Sequence, residues 1–340
     1  PSQSGIITST PETYWDGALS AWGVDCVKRG YIVESLPYNG RITYGDGSNA
    51  QDLSNYKVFI VCEPNILFTT AEKTAMMNFI INGGGLFMVS DHTISDRNGD
   101  GWDSPDIWND FISNNSVASN ALGIAFDLNS FSQTSSNIPN LPGDSILHGP
   151  MGNVTSVLWS SGTSMTINTS VNPTVKGVIY KSGSPFGNND VLCAYARYGT
   201  GKVAAIGDSS PCDDGTGDAN DVLYDGYFSD ASGNHQRLLM NITIWLASPA
   251  INTGIDKETH SLFNIYPNPA HNTFDISTDD FISDEFVKVY LKIYDVTGRL
   301  VLMNSFSSRP STINFKLPSG IYFLQAQAGE RVFTQKLVVE

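Results

Sequence analysis

Cysteine is scarce in this chain: Cys26, Cys62, Cys193 and Cys212 are spread over 340 residues, and no two form a CxxC pair. That spacing excludes a zinc ribbon or a thioredoxin-type motif and leaves one or two disulfides open, with no pairing fixed. Cys62 and Cys193 lie in apolar runs, where a small buried hydrophobe is the plainer reading. Positive charge is scarce as well. Lys and Arg number 19 against 34 Asp and Glu, a formal net charge of −15, so nucleic acid and anionic lipid are repelled at long range and make poor partners. No apolar run approaches the roughly 18 to 20 residues needed to cross a bilayer, so no transmembrane segment is expected. The chain opens PSQSGIITS, without a basic and apolar leader; a signal peptide is expected to be absent or already removed.

The length suits two cores rather than one. In the first part, DGALSAWGVDCVKRG carries apolar residues at helical spacing and stops at Gly30. YIVESLP reads as a short strand, and YKVFIVCEP as a continuous apolar strand of the kind buried on both faces. TTAEKTAMMNFIINGGG then reads as a helix with Thr caps at its start and glycines at its end, followed by the strand GLFMVSD. SPDIWNDFISNN looks like a helix with a Ser N-cap and an early Pro. Residues 117–175 are rich in Ser, Asn, Thr, Gly and Pro and suggest irregular structure with a few short strands. DVLCAYARYGTGKVAAIGDSSP reads as two strands joined at YGTGK, and HQRLLMNITIWLAS as an apolar helix closing the domain. This βαβ rhythm predicts an α/β, flavodoxin-like domain with a mostly parallel sheet over residues 1–248. A polar linker over 249–262 follows. From 263 to 340, short alternating strands with frequent turns predict a small all-β, Ig-like sandwich.

That last segment contains NIYPNPAHNTFDIS, LKIYDVTGRLV, LPSGIYFLQAQAG and a terminal QKLVVE. Together, in this order, they resemble the type A C-terminal sorting domain of the type IX secretion system of the Bacteroidetes; an adhesion sandwich of fibronectin type is the competing reading. Pro267 and Pro269 suit an extended entry, Gly298 a hairpin turn and Gly320 a bend. The resemblance implies export, recognition by the type IX machinery through this domain, and release or attachment at the cell surface. More loosely, GGGLFMVSDH and RYGTGKVAAIGDSSP followed by LLMNITIWLA resemble the class I glutamine amidotransferase-like fold. A glutaminase needs a nucleophilic Cys on a tight strand-to-helix elbow. Here Cys62 precedes Glu63 and Pro64, and Asp91 follows FMVS, so glutamine hydrolysis is not expected.

SDRNGDGWDSPDIWND, residues 95–110, crowds five Asp and two Asn around two glycines. Asp96, Asn98, Asp100 and Gly101 reproduce the first half of a D-x-[DN]-x-[DN]-G calcium loop, with Trp102 offering a carbonyl oxygen and Asp106 a carboxylate. The twelfth position, where a bidentate Glu belongs, is Ile107. One Ca²⁺ is the expected cofactor; the competing reading is an Asx-bonded turn without an ion. A second acidic stretch holds Asp208, Asp213, Asp214, Asp218, Asp221 and Asp225 and could extend that site or be a solvated loop.

In wound sheets, sites form beyond the carboxyl ends of the strands. Two strands end in polar clusters there, at Asp91 and His92 and at Asp208 and Ser209. Asp91, His92 and Asp208 are therefore the candidate acid/base or metal-binding residues; His148 and His235 are the domain's other histidines, with structural roles as the plainer reading. The GDS tripeptide is like the nucleophile block of SGNH esterases, but it stands late in the domain and no D-x-x-H follows. Two function classes follow. One is an extracellular hydrolase of a glycan or other polymer, and the other a non-catalytic surface module that binds carbohydrate or protein; Trp102, Trp108, Tyr224 and Tyr227 would serve either as sugar platforms.

Overall fold

The computed structural model describes residues 2–217, 225–230, 234–249, 264–277, 289–306, 311–328 and 331–340; the expected linker 249–262 lies almost wholly outside them. The chain divides into two compact units, Pro1–Ile251 and Asn252–Glu340.

In the first unit the helices are α1 (Ser20–Lys28), α2 (Thr70–Ile81), α3 (Ser104–Ser113), α4 (Gly226–Ser229) and α5 (Asn234–Ala247). The strands are β1 (Val58–Cys62), β2 (Gly85–Val89), β3 (Ile124–Phe126), β4 (Phe131–Ser135), β5 (His148–Gly149), β6 (Gly152–Asn153), β7 (Val157–Gly162), β8 (Met165–Ile167), β9 (Lys176–Tyr180), β10 (Val191–Tyr198) and β11 (Gly201–Ile206). Seven of them form one sheet in the order β1-β2-β11-β10-β8-β3, with β9 also paired to β10.

The expected mostly parallel, flavodoxin-like sheet does not form. Only β1, β2 and β11 run parallel; β10 is antiparallel to β11, β9 and β8, and β8 to β3. Two stretches explain the difference. YGTGK is a tight turn with Gly199 at φ +59°, and strands joined so closely can pair only antiparallel. Residues 117–175 lack helical periodicity and supply short strands instead of crossover helices, without which a parallel neighbour cannot be reached. YIVESLP forms no strand. YKVFIVCEP does give β1, but at the sheet edge and half-buried throughout.

The central strand β2 is buried along its whole length. Its side chains alternate between two cores, as the two-residue period of a strand requires. Phe87 and Val89 join Trp22 of α1 and Leu238, Leu239 and Ile242 of α5 on one face. Leu86 and Met88 join Met76, Met77 and Ile80 of α2 and Trp108 and Phe111 of α3 on the other. α2 starts with a capping box: the Glu72 N–H donates to Thr69 Oγ (3.2 Å) and the Thr69 N–H to the Glu72 carboxylate (2.8 Å). For α3 the N-cap is Asp103, not Ser104, which is the first helical residue ahead of Pro105.

The second unit contains β12 (Asn264–Tyr266), β13 (Thr273–Ser277), β14 (Val289–Asp295), β15 (Leu300–Phe306), β16 (Ser311–Asn314), β17 (Gly320–Ala328) and β18 (Arg331–Val339). They form a three-stranded sheet, β12-β13-β16, and a four-stranded sheet, β15-β14-β17-β18. Phe274, Ile276 and Ile313 from the first share one core with Leu291, Ile293, Leu324 and Leu337 from the second. In the DVTGR turn Gly298 takes φ +84°. The Asp295 carboxylate accepts the Thr297 hydroxyl and N–H and the Arg299 N–H, which holds its pKa down at about 2. No described helix is long and apolar enough to cross a membrane.

Trp108 joins the α3 face to the end of β2. Its ring is fully buried against Phe68 and Phe111, and its Nε1–H donates to the Val89 carbonyl (3.0 Å). Trp108→Ala is expected to cost about 3–5 kcal/mol and to lower the melting temperature by roughly 10 °C. A thermal melt followed by tryptophan-independent far-UV circular dichroism checks this; a shift within error of wild type would show that the α3 face is not the core described.

Candidate functional site

The three parallel strands all present polar groups at their carboxyl ends. β1 is followed by Glu63, β2 by Ser90, Asp91 and His92, and β11 by Gly207, Asp208 and Ser209. Close backbone approach brings the last of these in. A Cβ on Gly207 would stand 2.0 Å from the Thr163 carbonyl oxygen, so only glycine lets the end of β11 lie against β7 and β8 here. The side chains then interlock. His92 Nδ1 lies 2.9 Å from Asp91 Oδ1, which also accepts the His92 N–H (2.8 Å). Arg97 donates through Nη2 to Asp91 Oδ2 (3.2 Å) and through Nε to Glu63 Oε1 (2.6 Å), while Ser209 Oγ donates to Glu63 Oε2 (3.1 Å).

Asp208 is wholly buried, and its two oxygens accept the N–H groups of Ser160 and Ser210. Burial pushes its pKa up to about 8, with the negative charge of Asp91 adding to the rise and the backbone donors opposing it. Burial likewise raises the Glu63 carboxyl, and Arg97 pulls it back. Thus Asp91 and His92 do meet, and Asp208 is coupled to Asp91 electrostatically, but both Asp208 oxygens are occupied by backbone. Glu63 and Arg97 complete the group and were missed in the sequence. The signal for Glu63 was the one used for Asp91, a polar residue ending an apolar strand; Arg97 was hidden among the acids of SDRNGDG.

In residues 95–110 the carboxylates of Asp96 and Asp100 turn inward onto their own loop, while Asp110 pairs with Lys73 at 2.8 Å. Asp96 accepts the N–H groups of Gly99, Asp100 and Gly101, and Asp100 accepts the Trp102 N–H and the Asn98 side-chain amide. These backbone bonds hold the Asp96 carboxyl below the usual range. Among the described residues no three His, Cys, Asp or Glu side chains are grouped so as to hold a metal. Asp103 differs from its neighbours: Oδ2 accepts the Ile94 N–H and the Thr93 hydroxyl, but Oδ1 is buried without a partner. The Asp106 carboxyl is raised by its own burial and then by the charge of Asp103.

The remaining expectations divide. His235 is buried, accepts the Leu158 N–H at Nε2 (2.9 Å) and faces the Gly226 carbonyl with Nδ1 (2.8 Å), a structural tether. His148 sits on the Asn153 side chain. Trp108 and Tyr227 are buried rather than displayed, the latter with its hydroxyl on Asp25 (2.6 Å); Trp102 is exposed. Tyr224, Asp218 and Asp221 lie outside the described residues. In the second acidic stretch, Asp214 accepts the Ala21 N–H and the Ser20 hydroxyl, both at 2.7 Å, and so caps the start of α1.

Away from these strand ends, the same unit has a half-open cavity of about 670 Å³. Its walls include Asn140, Asp144, Lys176, Tyr195, Arg197 and Trp245. Tyr195 and Trp245 meet at 4.9 Å between ring centroids, tilted by 58°, and the Arg197 guanidinium lies 5.6 Å from the Trp245 centroid. Asp144 is occupied: its carboxylate accepts the Tyr195 hydroxyl (2.7 Å) and the N–H groups of Ile146 and Leu147. Asn241 of α5 pins the loop above, donating to the Ile146 and Gly152 carbonyls and accepting the Met151 N–H.

Residues 264–340 match the family described as the secretion system C-terminal sorting domain. The chain is therefore an export substrate of the type IX system, secreted or held at the cell surface. No curated protein matches the chain. Among solved structures, the mmIFT52 N-terminal domain is 14% identical with a TM-score of 0.46, over 69% of this chain and 92% of that one. Dimeric latent PorU from Porphyromonas gingivalis is 20% identical with a TM-score of 0.19, over 23% of this chain and 9% of that one. The rat CD45 extracellular region, domains d3-d4, is 14% identical with a TM-score of 0.17, over 22% and 46%. None of these three likenesses bears on function.

The raised pKa of Asp208 has a measurable sign. Folded Asp208 keeps its proton to about pH 8, whereas an unfolded Asp loses it near pH 4. The folded state then binds more protons between those values, so this residue makes stability fall as pH rises from about 4 to about 8, and the loss is complete above that window. Melting temperature measured across the window is expected to decline more steeply in wild type than in Asp208→Asn. Parallel profiles for the two proteins would show that Asp208 is ionised throughout.

Proposed function

We propose that the first unit is a non-catalytic module that holds an anionic carbohydrate outside the cell, in the cavity beside Tyr195 and Trp245. One observation carries this reading: in a chain of net charge −15, Lys176 and Arg197 both line that cavity, and neither makes an ion pair among the described residues. The nearest acid on the wall, Asp144, is already held by Tyr195 and two backbone donors. Two cations against one acid on a concave, partly aromatic surface suit a sugar bearing carboxylate or sulfate groups, with apolar ring faces and polar edges. By contrast, the acids at the strand ends are occupied by Arg97, His92, Ser209 and backbone N–H groups, which leaves a hydrolytic pair without an open carboxylate.

Retardation in native gels containing an acidic polysaccharide such as polygalacturonate tests this. Wild type is expected to be retarded, more weakly as salt is added, and not by a neutral glucan. Arg197→Ala is expected to weaken binding about tenfold, the loss of one charge-assisted contact. Migration unchanged by acidic and neutral polysaccharides alike would end the proposal.

A second reading places hydrolysis at Asp91 and His92, and one observation favours it. With Nδ1 on Asp91, the imidazole is oriented and partly exposed, and Nε2 has no partner among the described residues. A calcium ion from the medium belongs to the same reading: the partnerless Asp103 Oδ1 beside Asp106 gives it more support than Asp96, Asn98, Asp100 or the Trp102 carbonyl. A panel of polysaccharide, ester and phosphoester substrates, run with calcium and with chelator, separates the readings. No turnover in either medium is expected; calcium-dependent turnover lost in His92→Gln would replace the binding module with an enzyme.

A further inference from the structure

The four cysteines are not equivalent once folded. Cys26, on α1, has its sulfur 3.8 Å from that of Met240. Cys193 stands inside β10, opposite Ile206 of β11 and three strands from β1. Both are fully enclosed in apolar surroundings. Cys62 and Cys212 are placed differently, at two chain ends that meet. Cys62 is the last residue of β1, and Cys212 ends the 3₁₀ turn Ser210–Cys212 that follows β11. Glu63, next to Cys62, accepts the hydroxyl of Ser209, three residues before Cys212, at 3.1 Å, and both cysteines pack into the apolar cluster that also holds Cys26 and Cys193. The Cys212 thiol is driven well up by burial and then by a hydrogen bond with the Cys62 thiol. Cys212 is enclosed, whereas Cys62 is half-exposed.

We infer that Cys62 and Cys212 close a disulfide after export, clamping the end of the edge strand β1 to the turn after β11. The compartment is suitable, because disulfides persist outside the cell and not in a reduced cytosol. The order of events follows from exposure. Cys62, the accessible sulfur, loses its proton and attacks a small external disulfide such as oxidised glutathione, releasing one glutathione thiol. Cys212 then loses its proton and displaces the second. Two S–H bonds break, one S–S bond forms between the protein sulfurs, and the electrons reside in two molecules of reduced glutathione. The bond would close a long loop, which restricts the unfolded chain most strongly. It would also secure the edge strand that carries Glu63.

The test uses the full chain, purified with reductant and then exposed to oxidised glutathione. After denaturation and alkylation with iodoacetamide, two of the four cysteines are expected to resist alkylation, and protease mapping is expected to give one cross-linked peptide pair containing Cys62 and Cys212. Reductant is expected to lower the melting temperature of the oxidised protein by about 10 °C and to leave Cys62→Ser unchanged. Alkylation of all four cysteines, glutathione retained on Cys62, or a cross-link to Cys26 or Cys193 would overturn the inference. Should Cys62→Ser fail to fold, the peptide map of the natural chain still decides it.

Discussion

A carboxylate removed from water must be given donors or a counter-charge, and the first unit is arranged around that requirement. Its acids are numerous, but few are idle. Asp52 gathers the N–H groups of Gly45, Asp46 and Ser54, Asp144 those of Ile146 and Leu147, Asp208 those of Ser160 and Ser210, and Asp214 that of Ala21. Each holds a loop or a helix start in place. Where backbone donors do not suffice, Arg97 spans Glu63 and Asp91. That ion pair is half in solvent and contributes modestly to stability, and it places one positive charge between two acids.

This explains which parts of the fold could be read from the residues. α1, α2, α3 and α5, the strands β1, β2, β10 and β11, and the turn-rich second unit all have strong local signals: helical spacing, a capping box, continuous apolar runs, glycines at turns. Pairing direction has few local signals, and in the first unit YGTGK carried one. Two strands separated by so short a turn are antiparallel, and that single inference, carried through, contradicts a mostly parallel sheet. The same is true of burial. VFIVC is as apolar as GLFMV, but only the latter is central, because position in a sheet is set by partners hundreds of atoms away rather than by the run itself.

The candidate site shows the same division. Strand ends pointed to Asp91, His92 and Asp208, and these residues follow β2 and β11, whose parallel pairing brings their carboxyl ends to one edge. What residue type could not reveal is how each oxygen is occupied. Asp and Asn around glycine is a pattern shared by ion loops and Asx-bonded turns, and the two differ only in whether oxygens face an ion or the loop's own N–H groups. Asp96 faces the latter. Asp103, which the calcium-loop pattern does not include, has the oxygen left over.

The cavity at Tyr195 and Trp245 had no sequence signature at all, and the reason lies in how the sheet is built. Sites collect at strand ends when successive parallel strands diverge there and leave a crevice. In this sheet the parallel part is only three strands wide, and its ends are filled by Glu63, Arg97, Ser209 and Asp208. The antiparallel part has no such crevice, so concavity arises on a face instead, where β9 and β10 are roofed by the loop around Asp144 and flanked by the end of α5. Lys176, Tyr195 and Arg197 meet there because β9 and β10 pair, with Lys176 opposite Tyr195 in the ladder, while Trp245 comes from a helix fifty residues on. A concave surface assembled from a ladder register and a distant helix leaves no motif, only Lys176 and Arg197 on one wall, neither in an ion pair among the described residues.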